Sequence, residues 1–174
     1  VVLDKTGTLT LGVFEVNVIH NHHDQPLRDK RSQDRLLEIA ALAECSSTHP
    51  ISKSIRKEYG KEIDHTRVSD IHEWSGEGIT AKVDGKDVAV GNEKLIRRMG
   101  MEPCHCQTAG TLIHIAVSGR YEGHIVMGDV ERPHAAQAVQ ALRDMGIEKI
   151  VMLTGDARPV AEQVAAKLHT DEVH

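Results

Sequence analysis

The sequence predicts an α/β chain in two parts: an open parallel sheet with helices, interrupted by an inserted α+β block built on an antiparallel sheet. Three observations carry this. The apolar runs Val1-Val2-Leu3 and Ile150-Val151-Met152-Leu153 are continuous rather than alternating, as in strands buried on both faces. Each run is followed by a carboxylate beside threonine and glycine, Asp4 in one case and Asp156 in the other. Between them lies a long stretch of alternating strands and hairpin turns, punctuated by short helices. The expected division is 1–12 and 129–174 for the outer part and 13–128 for the insertion, with crossings near Thr10 to Val13 and Met127 to Val130.

The elements follow in order. Val13 to Ile19 alternates and reads as a strand of a second sheet. His20 to Arg31 is polar, contains Pro26 and reads as a loop. Ser32 is the expected N-cap of a helix with Leu36, Leu37, Ile39, Ala40 and Ala43 on one face. Pro50 suits the first turn of a second helix that runs to about Tyr59 and stops at Gly60. Arg67 to Glu73 reads as a strand. Ile79 to Val83 and Lys86 to Val90 form a hairpin about Asp84-Gly85. Gly91-Asn92 opens a short helix ended by Gly100, and Gln107 to Gly110 is a loop. Leu112 to Val117 and His124 to Met127 form a second hairpin about Ser118-Gly119-Arg120. Helices are then expected from Pro133 to Gly146 and from Pro159 to Leu168, on either side of strand 150–153.

Composition narrows the function classes. The chain has 174 residues, enough for one medium domain or a small domain with part of another. A formal net charge of −5 gives no general basic field for nucleic acid or anionic lipid. Aromatics are only 2%, which argues against base-stacking platforms. No apolar run approaches the ~20 residues of a membrane helix. Three cysteines, two of them in Cys104-His105-Cys106, make a poor disulfide framework and fit a reducing compartment. The first residue is Val1, directly on a strand, so the chain reads as a piece of a longer protein.

The chemistry centres on Asp4-Lys5-Thr6-Gly7-Thr8-Leu9-Thr10. In an open α/β sheet ligands bind outside the carboxyl ends of strands. Asp4 there is fixed from below and open to a phosphate above, so it reads as a nucleophile. Lys5 offsets the charge of an anionic substrate, and the N–H groups and hydroxyls of Thr6, Gly7 and Thr8 can cradle phosphate oxygens. Thr154-Gly155-Asp156 alone reads as a helix-capping turn, and Asp129-x-x-Arg132-Pro133 equally as an ordinary helix start.

The heptapeptide DKTGTLT resembles the phosphorylation motif of P-type ATPases. The resemblance implies a partial haloacid-dehalogenase-like Rossmann phosphorylation domain with an inserted nucleotide-binding domain, acting on ATP with Mg²⁺. It implies that Asp4 accepts the γ-phosphate, that Asp4 and the Thr6 carbonyl ligate Mg²⁺, and that Lys5, Thr154 and Asp156 assist. Asp129 and Arg132 resemble a hinge motif that helps place the nucleotide. A third Mg²⁺ ligand belongs to a GDGxNDxP-like segment, which does not occur in these 174 residues. ATP binding without turnover is therefore expected of them alone.

Ser47-Thr48-His49-Pro50, whose His49 lies five residues after Glu44, resembles the nucleotide-domain signature of heavy-metal-transporting members. There the histidine orients adenine and the glutamate hydrogen-bonds it. Gly76-Glu77-Gly78-Ile79 and Gly91-Asn92 match two further elements of that pocket, giving Glu44, His49, Gly76, Gly78, Gly91 and Asn92 as nucleotide-binding residues. The wording is closest to bacterial zinc/cadmium/lead exporters. The implied setting is the cytosolic portion of an integral plasma-membrane protein. Its membrane domain lies in the same polypeptide, and the transported cation is not bound by this region.

Two competitors share some of these residues. A free-standing haloacid-dehalogenase-type phosphatase shares the aspartate nucleophile but usually carries a second aspartate two residues on, where this chain has Thr6. A nucleotide-binding module without turnover would use only the inserted block. The spots His20-Asn21-His22-His23-Asp24 and Cys104-His105-Cys106 hold metal-ligand residue types, but neither has the spacing of a closed tetrahedral site. Both are expected as loops.

Overall fold

The computed structural model of the chain describes residues 1–106, 108, 110–155 and 158–174. Gln107 and Ala109 of the expected 107–110 loop, and the candidate Asp156, lie outside the described residues. The chain divides into two compact units: Val1–Val13 with Asp129–His174, and Phe14–Gly128.

The first unit is a parallel three-stranded sheet with two helices. Strand β1 is Val2–Asp4. Strand β2, Thr10–Asn21, leaves this unit for the second, and β7, Arg120–Glu131, returns. Helix α4 (Ala135–Asp144) and β8 (Val151–Leu153) follow, then α5 (Arg158–Leu168) and β9 (Glu172–Val173). The order is β1-β8-β9, with Leu3 opposite Met152 and Met152 opposite Val173. These three pack with Val139 of α4 and Val164 and Leu168 of α5.

Side chains alternate across a strand, so Val2 and Leu153 face the other way, and they are 60% and 43% exposed. The expectation of strands buried on both faces is thus corrected. Among the described residues the helices cover one face. Strand β9 was not anticipated, because two residues carry no periodicity.

The second unit is a six-stranded sheet of order β2-β7-β6-β5-β4-β3. The remaining strands are β3 (Val68–Trp74), β4 (Gly78–Val83), β5 (Lys86–Gly91) and β6 (Thr111–Val117). Adjacent strands from β3 through β7 pair antiparallel. Hairpin β4–β5 turns at Asp84-Gly85 and β6–β7 at Ser118-Gly119, all four at positive φ. That conformation matches the twist of a two-residue hairpin.

Helices α1 (Lys30–Ala43) and α2 (Pro50–Tyr59) supply Leu36, Leu37, Leu42 and Ile55 to the main core with Val90, Ile115 and Ile125 of the sheet. Helix α3, Glu93–Arg98, joins a smaller cluster with Ala89, Ala116 and Trp74. Several boundaries differ from expectation, β7 for one starting at Arg120 rather than His124. Asp29 rather than Ser32 caps α1: the Ser32 N–H donates to Asp29 Oδ1 at 2.8 Å. The expected loop at His20 begins later, because β2 continues through Asn21 and buries His20.

Candidate functional site

The predicted residues that are described gather at two places, one in each unit. In the first unit Asp4 ends β1 opposite Leu153 of β8, so Thr154 follows directly on the neighbouring strand. This is the carboxyl end of a parallel pair, where an α/β sheet binds ligands. Asp4, Thr6 and Thr8 are exposed, and Thr154 is half-buried. The turn Lys5–Leu9 that follows needs Gly7 at φ 81, a left-handed conformation that a side chain disfavours.

Lys5 points inward and is only 3% exposed. Its Nζ donates to Asp129 Oδ2 at 2.7 Å, and the Thr10 hydroxyl lies 2.8 Å from the same oxygen. The Arg132 guanidinium donates to the Gly7 carbonyl at 2.8 Å, and the Arg132 N–H to the Leu9 carbonyl at 3.0 Å. Asp129 and Arg132, expected to help place the nucleotide, have side chains engaged by the loop itself. They lie more than a hundred residues from it in sequence, so no local pattern announces the contact.

In the second unit a cavity of about 240 Å³ is lined by all six residues assigned to the nucleotide: Glu44, His49, Gly76, Gly78, Gly91 and Asn92. They come from the end of α1, the start of α2, the β3–β4 turn and the end of β5. Leu112 and Ile113 of β6 and Trp74 of β3 add apolar surface.

Each is held by local chemistry. His49 is the N-cap of α2: the Ile51 N–H donates to its Nδ1 at 3.2 Å. In its neutral form the ring then carries its proton on Nε2, a donor for a ligand. Glu44 is 7% exposed, and the Ser52 hydroxyl donates to its Oε2 at 2.7 Å. Burial pushes the Glu44 carboxyl above its ordinary range, against the Ser52 hydrogen bond and the charges of His49 and Arg56. Arg56 donates to the carbonyls of Glu44 and Ser47 and so closes the end of α1.

Gly78 and Gly91 are opposite each other in register. A Cβ on Gly78 would stand 2.3 Å from the Val90 carbonyl oxygen and 2.5 Å from the Gly91 Cα. Asn92 caps α3, accepting from the N–H groups of Lys94 and Leu95, and its Nδ2 donates to the Gly76 carbonyl at 2.8 Å. Its own N–H donates to the Glu77 carbonyl at 2.8 Å. Asn92 therefore shapes the rim, with one Nδ2 hydrogen not engaged by these bonds.

Ser52 and Arg56 were missed by the sequence reading. Ser52 lies one helical turn after His49, and that spacing is the signal that could have found it. Arg56 one turn further gave none, because an arginine on an exposed helix is ordinary.

Comparison with known proteins bears on the family and the fold. Residues 1–173 match the haloacid dehalogenase-like hydrolase family. The chain is 44% identical over 173 residues to a cadmium, zinc and cobalt-transporting ATPase of Bacillus subtilis, covering 99% of the chain and 24% of that protein. It is 43% identical over 171 residues to a zinc-transporting ATPase of Synechocystis, covering 98% of the chain and 23% of that protein. It thus spans about a quarter of the length of these relatives.

Among solved structures, a zinc-transporting PIB-type ATPase in the E2.Pi state superposes with a TM-score of 0.76 at 27% identity, covering 98% of this chain and 28% of that one. The catalytic domain of the CPx-ATPase CopB-B gives 0.72 at 27% identity, covering 99% of this chain and 59% of that one. By sequence and by fold the chain belongs to the haloacid dehalogenase-like hydrolase family, on the branch that holds the heavy-metal P-type ATPases.

Proposed function

We propose that the chain is the ATP-binding and autophosphorylating cytosolic region of a heavy-metal-translocating P-type ATPase, joined to a membrane domain in the same polypeptide. One observation supports this most directly. Six residues from four separate stretches, assigned to a nucleotide on other grounds, line one cavity. In the reaction a carboxylate oxygen of Asp4 attacks the γ-phosphorus of ATP. The bond from that phosphorus to the β,γ-bridging oxygen breaks, and ADP leaves with the bonding pair. Phosphoryl transfer of this kind depends on positioning and charge neutralisation.

The residues present have defined parts in that step. Lys5 is a fixed positive charge beneath the loop, held by Asp129. Arg132 fixes the Gly7 carbonyl and with it the N–H groups that face a phosphate. Thr154, beside Asp4 on the neighbouring strand, offers a hydroxyl to the transferred group, and Asp156 is assigned to nucleotide placement. The Asp4 carboxylate and the Thr6 carbonyl are hard oxygen donors of the kind Mg²⁺ takes, alongside waters and substrate phosphates. When bound, Mg²⁺ neutralises charge on the phosphoryl group. Thr6 cannot take a proton from an attacking water as a carboxylate would, so the aspartyl phosphate persists long enough to drive export of a metal cation.

Labelling the full-length protein with ATP carrying γ-³²P tests this. Acid-stable, hydroxylamine-labile label is expected in the native protein and none in Asp4→Asn. Label that persists in Asp4→Asn would remove Asp4 as the nucleophile. Calorimetry should detect ATP binding to these 174 residues, while sustained hydrolysis by them alone would contradict the assignment.

A further inference from the structure

Four side chains that the phosphoryl-transfer chemistry does not use converge elsewhere in the second unit. We propose that His20, Asp24, Cys106 and His124 form a closed tetrahedral site for a divalent transition-metal cation, Zn²⁺ before others. The two histidine- and cysteine-bearing spots of the sequence look incomplete one at a time. The fold takes His20 and Asp24 from the first and Cys106 from the second, and adds His124 of β7. One ligand atom from each lies within 4.8 Å of every other.

The edges have the right length. With ligand bonds of about 2.0 Å to nitrogen or oxygen and about 2.3 Å to sulfur, a tetrahedron has edges of roughly 3.3–3.6 Å. His124 Nε2 lies 3.3 Å from Asp24 Oδ1, and Cys106 Sγ 3.7 Å from His20 Nδ1. The His20 Nδ1 to Asp24 Oδ1 edge is shorter, at 2.7 Å, because a hydrogen bond closes it; an ion replaces that proton.

An independent observation comes from His124. Its ring is fully buried, and Nε2 faces the cluster, standing 3.3 Å from Asp24 Oδ1 without a well-formed hydrogen bond. A buried ring nitrogen left in that state is costly unless something binds it. Its other nitrogen, Nδ1, lies 3.0 Å from the Tyr121 hydroxyl, which lies 2.7 Å from His114 Nδ1. Two proton arrangements satisfy both contacts, and one of them leaves His124 Nε2 bare for an ion. In that one, Nδ1–H donates to the Tyr121 oxygen, and the tyrosine hydroxyl donates to His114. Such outer hydrogen bonds are how metal-ligating histidines are oriented. The Thr108 N–H donates in turn to Cys106 Sγ at 3.4 Å.

The donor set selects the ion. Two imidazoles, a thiolate and a carboxylate suit Zn²⁺ and its Co²⁺ and Cd²⁺ analogues and are too soft for Mg²⁺. The two anionic ligands balance a 2+ charge. Four protein ligands leave no open position, so the ion is structural or regulatory rather than catalytic. It ties the segment between α3 and β6 to the sheet. His22, His23 and His105 are exposed and stand outside the cluster, as does Cys104. The site does not depend on the nucleotide assignment, and it is resident rather than a station for a transported ion.

The test is a Co²⁺ titration of the metal-free, reduced chain. One equivalent should produce the intense visible bands of a tetrahedral ion and a thiolate-to-cobalt charge-transfer band, both bleached by Zn²⁺. Cys106→Ser, a change on a loop, should abolish the charge-transfer band, and Asp24→Asn should weaken Co²⁺ binding about tenfold or more. The combined variant His22→Ala, His23→Ala, Cys104→Ser should keep both bands. A weak octahedral spectrum in the native chain would overturn the proposal. So would survival of the charge-transfer band in Cys106→Ser, or its loss in the combined variant.

Discussion

The Asp4 loop and the pocket around His49 are organised by opposite means. The loop is held by charge: Lys5 is buried against Asp129, and Arg132 grips the Gly7 carbonyl. The pocket is held by backbone. Gly78 and Gly91 touch across two strands, and helix caps at His49 and Asn92 set its rim. A site that must accept a charged phosphate needs a fixed field, and fixed fields come from buried ions. A site that must admit a flat heterocycle needs space beside the main chain, and only missing side chains give that.

Substitutions should separate the two designs, and the largest effect belongs to the backbone. Gly78→Ala places a Cβ against atoms that cannot move without shifting two strands. It should cost about 3 kcal/mol in urea denaturation and abolish ATP binding measured by calorimetry. An unchanged midpoint would show that the glycine pair is not a structural contact. In the charged loop, Asp129→Asn should cost about 2 kcal/mol, the value of a hydrogen bond to an ion. It should also slow phosphoenzyme formation while leaving ATP affinity in the second unit unchanged. A parallel loss of ATP affinity would assign Asp129 to the nucleotide instead.

His49 sharpens the comparison because it serves as both cap and ligand. His49→Ala removes the cap at about 1 kcal/mol and weakens ATP binding, whereas His49→Asn restores the cap and should still bind ATP poorly. Recovery of affinity in His49→Asn would mean that the ring itself contributes nothing.

Glu44 gives a pH test. Its carboxyl is raised above the ordinary 4.5, so the folded chain holds that proton more tightly than the unfolded one. Stability from this group is present below pH 4.5 and declines as pH rises through the raised value. Glu44→Gln should therefore gain on the native chain in thermal melts as pH rises above 4.5, and a constant difference would refute the raised carboxyl. The smallest effect is expected at Arg98→Ala, which breaks a surface pair with Glu77 and should leave the midpoint of the same denaturation assay nearly unchanged.

What the sequence revealed follows the same division. Contacts made within a few residues were legible: the Asp84-Gly85 hairpin, the His49-Pro50 helix start, the Asn92 cap. The six pocket residues were legible because each sits in a short motif. Contacts closed by the fold were not. Asp129 under Lys5 and Arg132 on Gly7 join residues whose separation hides them. The His20–Cys106 contact spans 86 positions, and His124 carries no motif at all. Asp29 displaced Ser32 as the cap of α1 because both residue types fill that role and sequence alone ranks them equally. Val2 reads as buried, yet one sheet face is open among the described residues, and composition cannot tell which face a helix will cover.

Asn92 has a consequence for the energetics of recognition. Its side chain accepts from two amides of α3 and donates to Gly76, so the pocket's rim is already ordered before any ligand arrives. A rim of that kind loses little conformational entropy on binding. Association should then show nearly unchanged hydrogen exchange at residues 76–78 and a heat of binding little offset by ordering of the protein.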